Sequence, residues 1–570
     1  MVYMTAIRQR RLRLPLEKDD PAAASDDTIS RVKLGGRSSS VMNIFAFGCG
    51  VLVIGFTFSL LQYSGQSIYA SSGMQQYDAV IVGAGWAGIS AAKALLENGV
   101  DNILVLEAHD YIGGRSKSVN LDGSINNPSM HGNFSNIPIE MGSEWLYMST
   151  ELEETLTDGG YLEGIDTSRR DSFFIPLKNS PFYLQTFVQE KDENDNTAAV
   201  LKTERMEDDK AKDLYDRVWK GFMEYKEEYT ESLGEDGDGS YGLAVKKYKE
   251  EKLTSDVDAQ FIDLAMAAAE VDYTGDKNQL SIWEGSIDED NSPMHYMSVP
   301  GVGYGNTAAK FAGQIAHKIQ LNSKVTEIDY RSPNDAIISF TSDGVESKVV
   351  AKTVLVTVSL GVLKAGNIKF TPSLPDWKQE VIDGMGFGLL NKCVMQWNNP
   401  DAAVWPDNDW FELMTPKGEN SGKWTTFFNP TSYKGVPTLV GWAAAENARY
   451  METQTDEEVL SDVMEKLKAM FPTITPPDRT IITRWGSEEN VRGTYSFGIM
   501  GREFDEDRRQ LQKTIRNVWF AGEATNPGGW YGTTIGARRS GEAAAKGMLE
   551  QLQSSVSALS RLFQGYKVAS

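Results

Sequence analysis

The sequence predicts an α/β protein in two domains, one built on a parallel sheet and one of α+β type with a mixed sheet plus helices, behind an N-terminal transmembrane helix. Three stretches predict it. Tyr77 to Arg115 joins an apolar run, a glycine-rich turn, a helical pattern and a second apolar run. From Glu151 to about Asp290 the composition turns helical and acidic before strand patterns return. Ile44 to Leu61 runs for eighteen residues without a charge.

In the first stretch, Ala79 to Val82 is short, apolar and bounded by glycine, as a buried parallel strand should be. Gly83, Gly85 and Gly88 follow as G-x-G-x-x-G where strand becomes helix. The first allows the tight turn, the second lets backbone approach a diphosphate, and the third lets the helix pack on the strand. The helix should run from about Trp86 to Asn98 and stop at Gly99, its N-terminus offering N–H groups to phosphate. A second strand, Ile103 to Leu106, ends at Glu107, where a carboxylate can accept hydrogen bonds from ribose hydroxyls. This is a Rossmann-like dinucleotide site, and Gly113, Gly114 and Arg115 add a turn that can lay backbone and a guanidinium beside the diphosphate.

The eighteen uncharged residues are just long enough to cross a bilayer as a helix. Arg31, Lys33 and Arg37 precede them and no Lys or Arg follows until Lys93, which puts the N-terminus in the cytoplasm and the body on the lumenal or extracellular side. A cleaved leader, giving a secreted or organellar protein, and a buried globular helix are the competing readings. Asn133-Phe134-Ser135 is a glycosylation sequon compatible with lumenal exposure.

The chain carries a net charge of −23, although residues 1–42 hold eight Arg/Lys against five Asp/Glu. An acidic body argues against nucleic acid as a partner and attracts cationic small molecules; acidity serving solubility alone is the plainer alternative. Two cysteines, Cys49 and Cys393, and four scattered histidines, His109, His131, His295 and His317, give no disulfide framework and no metal-ligand spacing.

Further motifs carry a resemblance. Glu140-Met141-Gly142-Ser143-Glu144-Trp145, the Lys392 of Gly388-Leu389-Leu390-Asn391-Lys392-Cys393-Val394, Arg484-Trp485, Thr494-Tyr495, Ala521-Gly522-Glu523 and Gly529-Trp530-Tyr531-Gly532-Thr533-Thr534 follow one another in this order. With the GGR turn, they resemble the flavin-dependent amine oxidases, and polyamine oxidases most closely, over about Tyr77 to Leu549. The resemblance implies FAD and assigns it Gly83, Gly85, Gly88, Glu107, Gly114, Arg115, Gly142, Ser143, Trp145, Val325, Trp485, Gly522, Glu523, Thr533 and Thr534. Monoamine oxidases have a flavin-linking cysteine where Thr494 stands, so the FAD should be non-covalent.

The same resemblance implies catalytic or substrate-facing roles for Lys392, Tyr495, Trp530, Glu144 and Tyr147. Lys392 sits in an apolar context where burial disfavours the ammonium form, and the matching lysine of similar oxidases holds a water near flavin N5; a strand-end surface lysine is the plain alternative. Tyr147 stands where polyamine oxidases commonly carry Glu or His, which leaves the amine contact to Glu144 unless that acid is merely paired or solvated. Tyr495 and Trp530 are read as aromatic walls. Ile535 stands where His is usual.

The organisation implied is a disordered cytoplasmic tail at 1–42, a signal anchor at 43–62 and a linker at 63–76. A discontinuous FAD-binding domain follows from 77–150, 298–362 and 478–552, with a substrate domain from 151–297 and 363–477 and a tail at 553–570. The expected activity is oxidation of spermine, spermidine or acetylated forms with O₂ reduced to H₂O₂. An oxidase of L-amino acids or other primary amines, and an inactive membrane-tethered flavin-binding protein, stand as alternatives.

Overall fold

Two large sheets carry the chain. The computed structural model describes residues 73–119, 138–147, 156, 183–191, 199–234, 237–283, 296–298, 303–408, 410–415 and 422–566. Contacts divide the chain into two units, and the larger includes Gln75–Ser555. Of the other, Arg8–Met74 with Val556–Ser570, the described residues are 73–74 and 556–566. The segment 43–62 lies outside the described residues, as do the tail 1–42 and the sequon at 133–135. Among the described residues no helix is long and apolar enough to cross a membrane.

The first sheet has eight strands, and its centre is parallel. Gln75–Val82 lies between Ile103–Leu106 and Val345–Val356, parallel to both, and Val518–Phe520 pairs parallel with Val345–Val356. Where these strands meet at the sheet centre, Ala79 to Val82, Ile103 to Leu106 and Val354 to Val356 are continuous apolar runs because both faces are covered. Ala79, Ile81 and Val105 pack with Ile89, Ala91 and Leu95 of the helix Trp86–Glu97 on one side. Val80, Val82 and Leu104 pack with Val325, Ile338 and Phe520 on the other. Gly88 is forced by this packing, since a Cβ there would lie 2.0 Å from the Gly83 carbonyl oxygen.

The second sheet has seven strands in the order Arg479–Ile482, Leu390–Gln396, Thr438–Ala444, Thr426–Phe428, Trp410–Met414, Tyr183–Lys191, Ala199–Arg205. Neighbours are antiparallel except Trp410–Met414 with Tyr183–Lys191, which makes the sheet mixed. The strand Thr426–Phe428 starts after Trp424, whose left-handed φ of 51° lies outside the β region. Helices Lys220–Ser232, Tyr241–Lys252 and Asp256–Tyr273 share a core in which Phe222, Tyr241 and Tyr248 interlock. The aromatics between Met206 and Tyr229 therefore form a core face. Their helix is interrupted by a π-turn at Tyr215–Trp219.

Candidate functional site

A cavity of about 390 Å³ runs from the ends of the parallel strands to the face of the mixed sheet. One end is built by the glycine turn. Gly85 and Gly114 line it, and nothing stands within 4 Å of where a Cβ on Gly85 would be, so a diphosphate can reach the backbone at the start of Trp86–Glu97. Gly83 also lines the cavity, whereas Gly88 serves the packing just described. Glu107 stands at the end of Ile103–Leu106 with its Oε2 accepting the Ala84 N–H at 2.6 Å. Val325 and Ser323 line the same end from the strand Ser323–Asp329.

His109 also lines this end and carried no role in the sequence reading. Its Nδ1 is 2.9 Å from Glu107 Oε1 and its Nε2 is 3.4 Å from Glu488 Oε1. Burial lowers the imidazole's proton affinity, but hydrogen bonding and charge from Glu107, then Glu488, outweigh it and hold its pKa above the usual histidine value. The signal was an acidic residue two positions before it; Glu488, 379 residues away, could not be read from sequence.

At the other end the strand Leu390–Gln396 brings Lys392 against the loop after Ile139–Glu140. Lys392 Nζ donates to the Gly142 carbonyl at 2.9 Å and the Glu140 carbonyl at 3.2 Å, and lies 3.0 Å from Glu144 Oε2. Both side chains are buried, 6% and 4% exposed. The lysine is thus no strand-end surface residue, and the acid that sequence offered as an amine contact holds it. Trp485 Nε1 donates to the Met141 carbonyl at 3.1 Å, and Ser143 accepts from Ser116 Oγ at 3.1 Å, so the Gly142–Ser143 turn is fixed from both sides.

Two further charges back this pair. Glu140 accepts the Tyr304 N–H at 2.8 Å and the Ser118 hydroxyl at 2.7 Å, and burial pushes its carboxyl up to about 7. Burial lowers the pKa of Lys434, against the opposing charges of Glu144 and Glu140. Trp145 and Tyr147 belong to a strand paired with Tyr296–Ser298, Tyr147 opposite Tyr296, and their side chains lie outside the described residues.

The roof comes from the chain's last quarter. Glu523 is 3% exposed and takes hydrogen bonds from Ser496 Oγ at 2.7 Å and the Gly532 N–H at 2.9 Å, while its Oε1 lies 3.0 Å from Arg115 Nη1. Arg115 Nη1 also donates to the Thr494 carbonyl. Gly522, Thr533 and Thr534 line the cavity with it. Tyr495 lines the cavity too, with its hydroxyl donating to the carbonyls of Asp272 at 3.0 Å and Val271 at 3.2 Å.

Trp530 differs from its expected place. It does not line the cavity; its ring packs against the core that contains Ile89 and Ile535, and Tyr531 lines the cavity instead. Trp530 has a left-handed φ of 56° after two positive-φ glycines, Gly528 and Gly529, and that turn sends its side chain toward the core. Sequence reasoning also passed over Asp272 and Trp442. Asp272 lines the cavity, and desolvation holds its carboxyl above the usual aspartate value. Trp442 lines it from Thr438–Ala444, its ring centre 5.7 Å from Lys392 Nζ.

Among the described residues no group of His, Cys, Asp and Glu could hold a metal ion. The arrangement suits a two-ended ligand: a diphosphate and ribose under the glycine turn, and a planar reactive group between Lys392, Trp485, Tyr495 and the 531–534 turn.

Comparison with known proteins bears on this arrangement. The sequence model of flavin containing amine oxidoreductases matches residues 86–549. Polyamine oxidase 4 of Oryza sativa subsp. japonica is 29% identical over 466 residues, covering 82% of this chain and 87% of the relative. Polyamine oxidase 2 of Arabidopsis thaliana is 28% identical over 474 residues, covering 82% and 87%. Wild-type putrescine oxidase bound to putrescine superposes with a TM-score of 0.58 at 18% identity, covering 83% of this chain and 99% of the other, which is a likeness of fold.

The buried Lys392–Glu144 pair makes a stability test. Glu144→Gln leaves the ammonium short of a counter-charge and is expected to cost about 3 kcal/mol. Adding Lys392→Met should restore more than half of that loss in a urea-unfolding measurement, whereas additive losses would mean that the two side chains are energetically independent.

Proposed function

The chain belongs to the flavin-containing amine oxidoreductases and is therefore a flavoenzyme, and from that premise we propose that it oxidises polyamines, spermine or spermidine or their acetylated forms, using non-covalent FAD. Bound flavin supplies the hydride acceptor for the amine α-carbon and passes the electrons to O₂, giving H₂O₂. The remaining work falls to the protein: binding, orienting and keeping water out.

The observation that carries the reading is the cavity's distribution of charge. The Lys392 end is a closed set of buried cations and carboxylates, so a neutral amine can lie there without an added counter-ion. Asp272 lines the same cavity, and among the described residues no ion pair engages its carboxylate, which leaves it to meet a remote ammonium group of an oligoamine. Tyr495, tied through its hydroxyl to the backbone of Val271 and Asp272, orients the alkyl chain between the two. Tyr531 takes the second aromatic wall that sequence had given to Trp530. Lys392, with Glu144 behind it, holds a water at the reacting position.

For the cofactor, Gly83, Gly85, Gly114 and Arg115 receive the diphosphate and Glu107 the ribose. Gly522, Glu523, Thr533 and Thr534 meet the flavin half. Thr494 offers no thiol for a covalent link, and its hydroxyl donates to the Gly388 carbonyl at 3.1 Å. An amino-acid substrate fits less well, because it needs a cavity arginine for its carboxylate, and Arg115 is tied to Glu523 and Thr494 through Nη1 and assigned to the cofactor's diphosphate.

Residues 43–62, with the uncharged run Ile44 to Leu61, are proposed as a signal anchor that leaves the enzyme body lumenal or extracellular. Support comes from their eighteen uncharged residues and the preceding Arg31, Lys33 and Arg37.

Two measurements check these proposals. With a panel of amines, purified enzyme is expected to release peroxide with at least one polyamine, and Asp272→Asn to raise KM for it about tenfold while changing kcat by less than about threefold. No turnover of any polyamine by a flavin-loaded preparation would remove the substrate reading. For the anchor, the full chain should stay with membranes through alkaline carbonate and residues 72–570 should not; release of the full chain would contradict it.

A further inference from the structure

Arg508 lies outside every role described so far, and it is an anomaly. The helix Phe504–Gln512 buries it to 1% exposure. Its Nε and Nη2 are buried without a hydrogen-bond partner. The carboxylates nearest in sequence are used elsewhere. Asp507 holds Arg502 in two hydrogen bonds of 2.6 and 2.9 Å, Asp505 accepts the Gly528 N–H at 3.1 Å, and Glu506 takes Gln510 and Arg509. What the guanidinium does touch is a ring: its central carbon stands 3.7 Å from the centre of Tyr531.

Tyr531 lines the cavity with Gly532 and Thr533, and Tyr495 lines it too. A Cβ on Gly532 would lie 3.1 Å from the Tyr495 ring, so the Tyr531–Gly532 backbone and Tyr495 form one wall. A full positive charge therefore sits one aromatic ring behind that wall. Two cations that line the cavity are each paired with a carboxylate, Lys392 with Glu144 and Arg115 with Glu523. Arg508 is without a carboxylate among the described residues, and a buried charge in that state is costly to keep unless something negative forms within its reach.

We propose that Arg508, acting across the Tyr531 ring, is the counter-charge for the negative charge that flavin acquires in this cavity on reduction. It is a positioning and electrostatic residue rather than a catalytic one, since the ring separates it from the reacting atoms. The inference rests on the flavin reading and is independent of which amine is oxidised. No new step is added: the hydride leaves the amine α-carbon, the cofactor takes it with its two electrons, and the arginine stabilises the anion so formed. A fixed cation in a dry wall does this without reorganising, and it is screened less than a surface charge.

The test compares the parent holoprotein, full chain, with Arg508→Met and Arg508→Lys. The readings are the two-electron reduction potential, by dye equilibration, and the affinity for sulfite, which adds to oxidised flavin to give an anion. Arg508→Met is expected to make reduction at least tenfold less favourable, a fall of about 30 mV, and to weaken sulfite binding at least tenfold. Its Tm should be unchanged or higher, because an unpaired buried charge has been removed. Arg508→Lys should stay within threefold of the parent on both readings. If Arg508→Met yields no holoprotein, Arg508→Gln, which also drops the charge, decides on the same two readings. Potential and sulfite affinity within twofold of the parent in the neutral variant would overturn the proposal, whatever happens to Tm. A parent that binds flavin but oxidises no polyamine would count against the substrate reading alone, and the potential would still decide this one.

Discussion

The fold closes on itself at Glu523. Its carboxylate gathers Arg115 from the turn after the second parallel strand, Ser496 from the approach to the mixed sheet, and Gly532 from the turn that opens the last helix. Arg115 adds the Thr494 carbonyl. Residues up to 408 positions apart thus meet on one buried acid. A carboxylate at 3% exposure needs such a set of hydrogen-bond donors to be buried, and those donors are walls of the cavity. Several walls of the cavity are therefore held together by one electrostatic requirement.

Most of the parallel half was legible because its signals are local. A turn that must bring a helix against a strand admits only glycine at Gly88, and a strand buried on both faces must be apolar throughout, so Ala79 to Val82 and Ile103 to Leu106 announced themselves. The family resemblance carried the order of the later motifs. What stayed hidden depends on distance or on a dihedral angle. Lys392 stood out by its apolar neighbours, but its partner Glu144 is 248 residues away. Trp530 was the larger aromatic, yet a left-handed φ at that residue turned it to the core and gave Tyr531 the cavity. Asp272, His109 and Arg508 sit in stretches without a motif, and only their surroundings mark them.

The electrostatics of the site also run against what bulk charge suggests. The chain is acidic overall, at −23, yet the cavity wall near Lys392 is a nearly balanced set of paired charges. Overall acidity can draw a polycation toward the molecule. In the polyamine reading proposed above, a neutral amine at the reacting end is favoured instead by those buried pairs, which set the local field, while Asp272 is left for a remote ammonium group.

We propose that the Glu523 cluster holds the flavin half of the cofactor site together. The most direct measurement is titration of the apoprotein with FAD, following flavin fluorescence, for the parent and Glu523→Gln. Glutamine places two N–H donors among groups that are already donors, so the expected result is at least tenfold weaker binding, about 1.4 kcal/mol, in a protein that remains folded by circular dichroism. Equal FAD affinity in the two proteins would contradict the account.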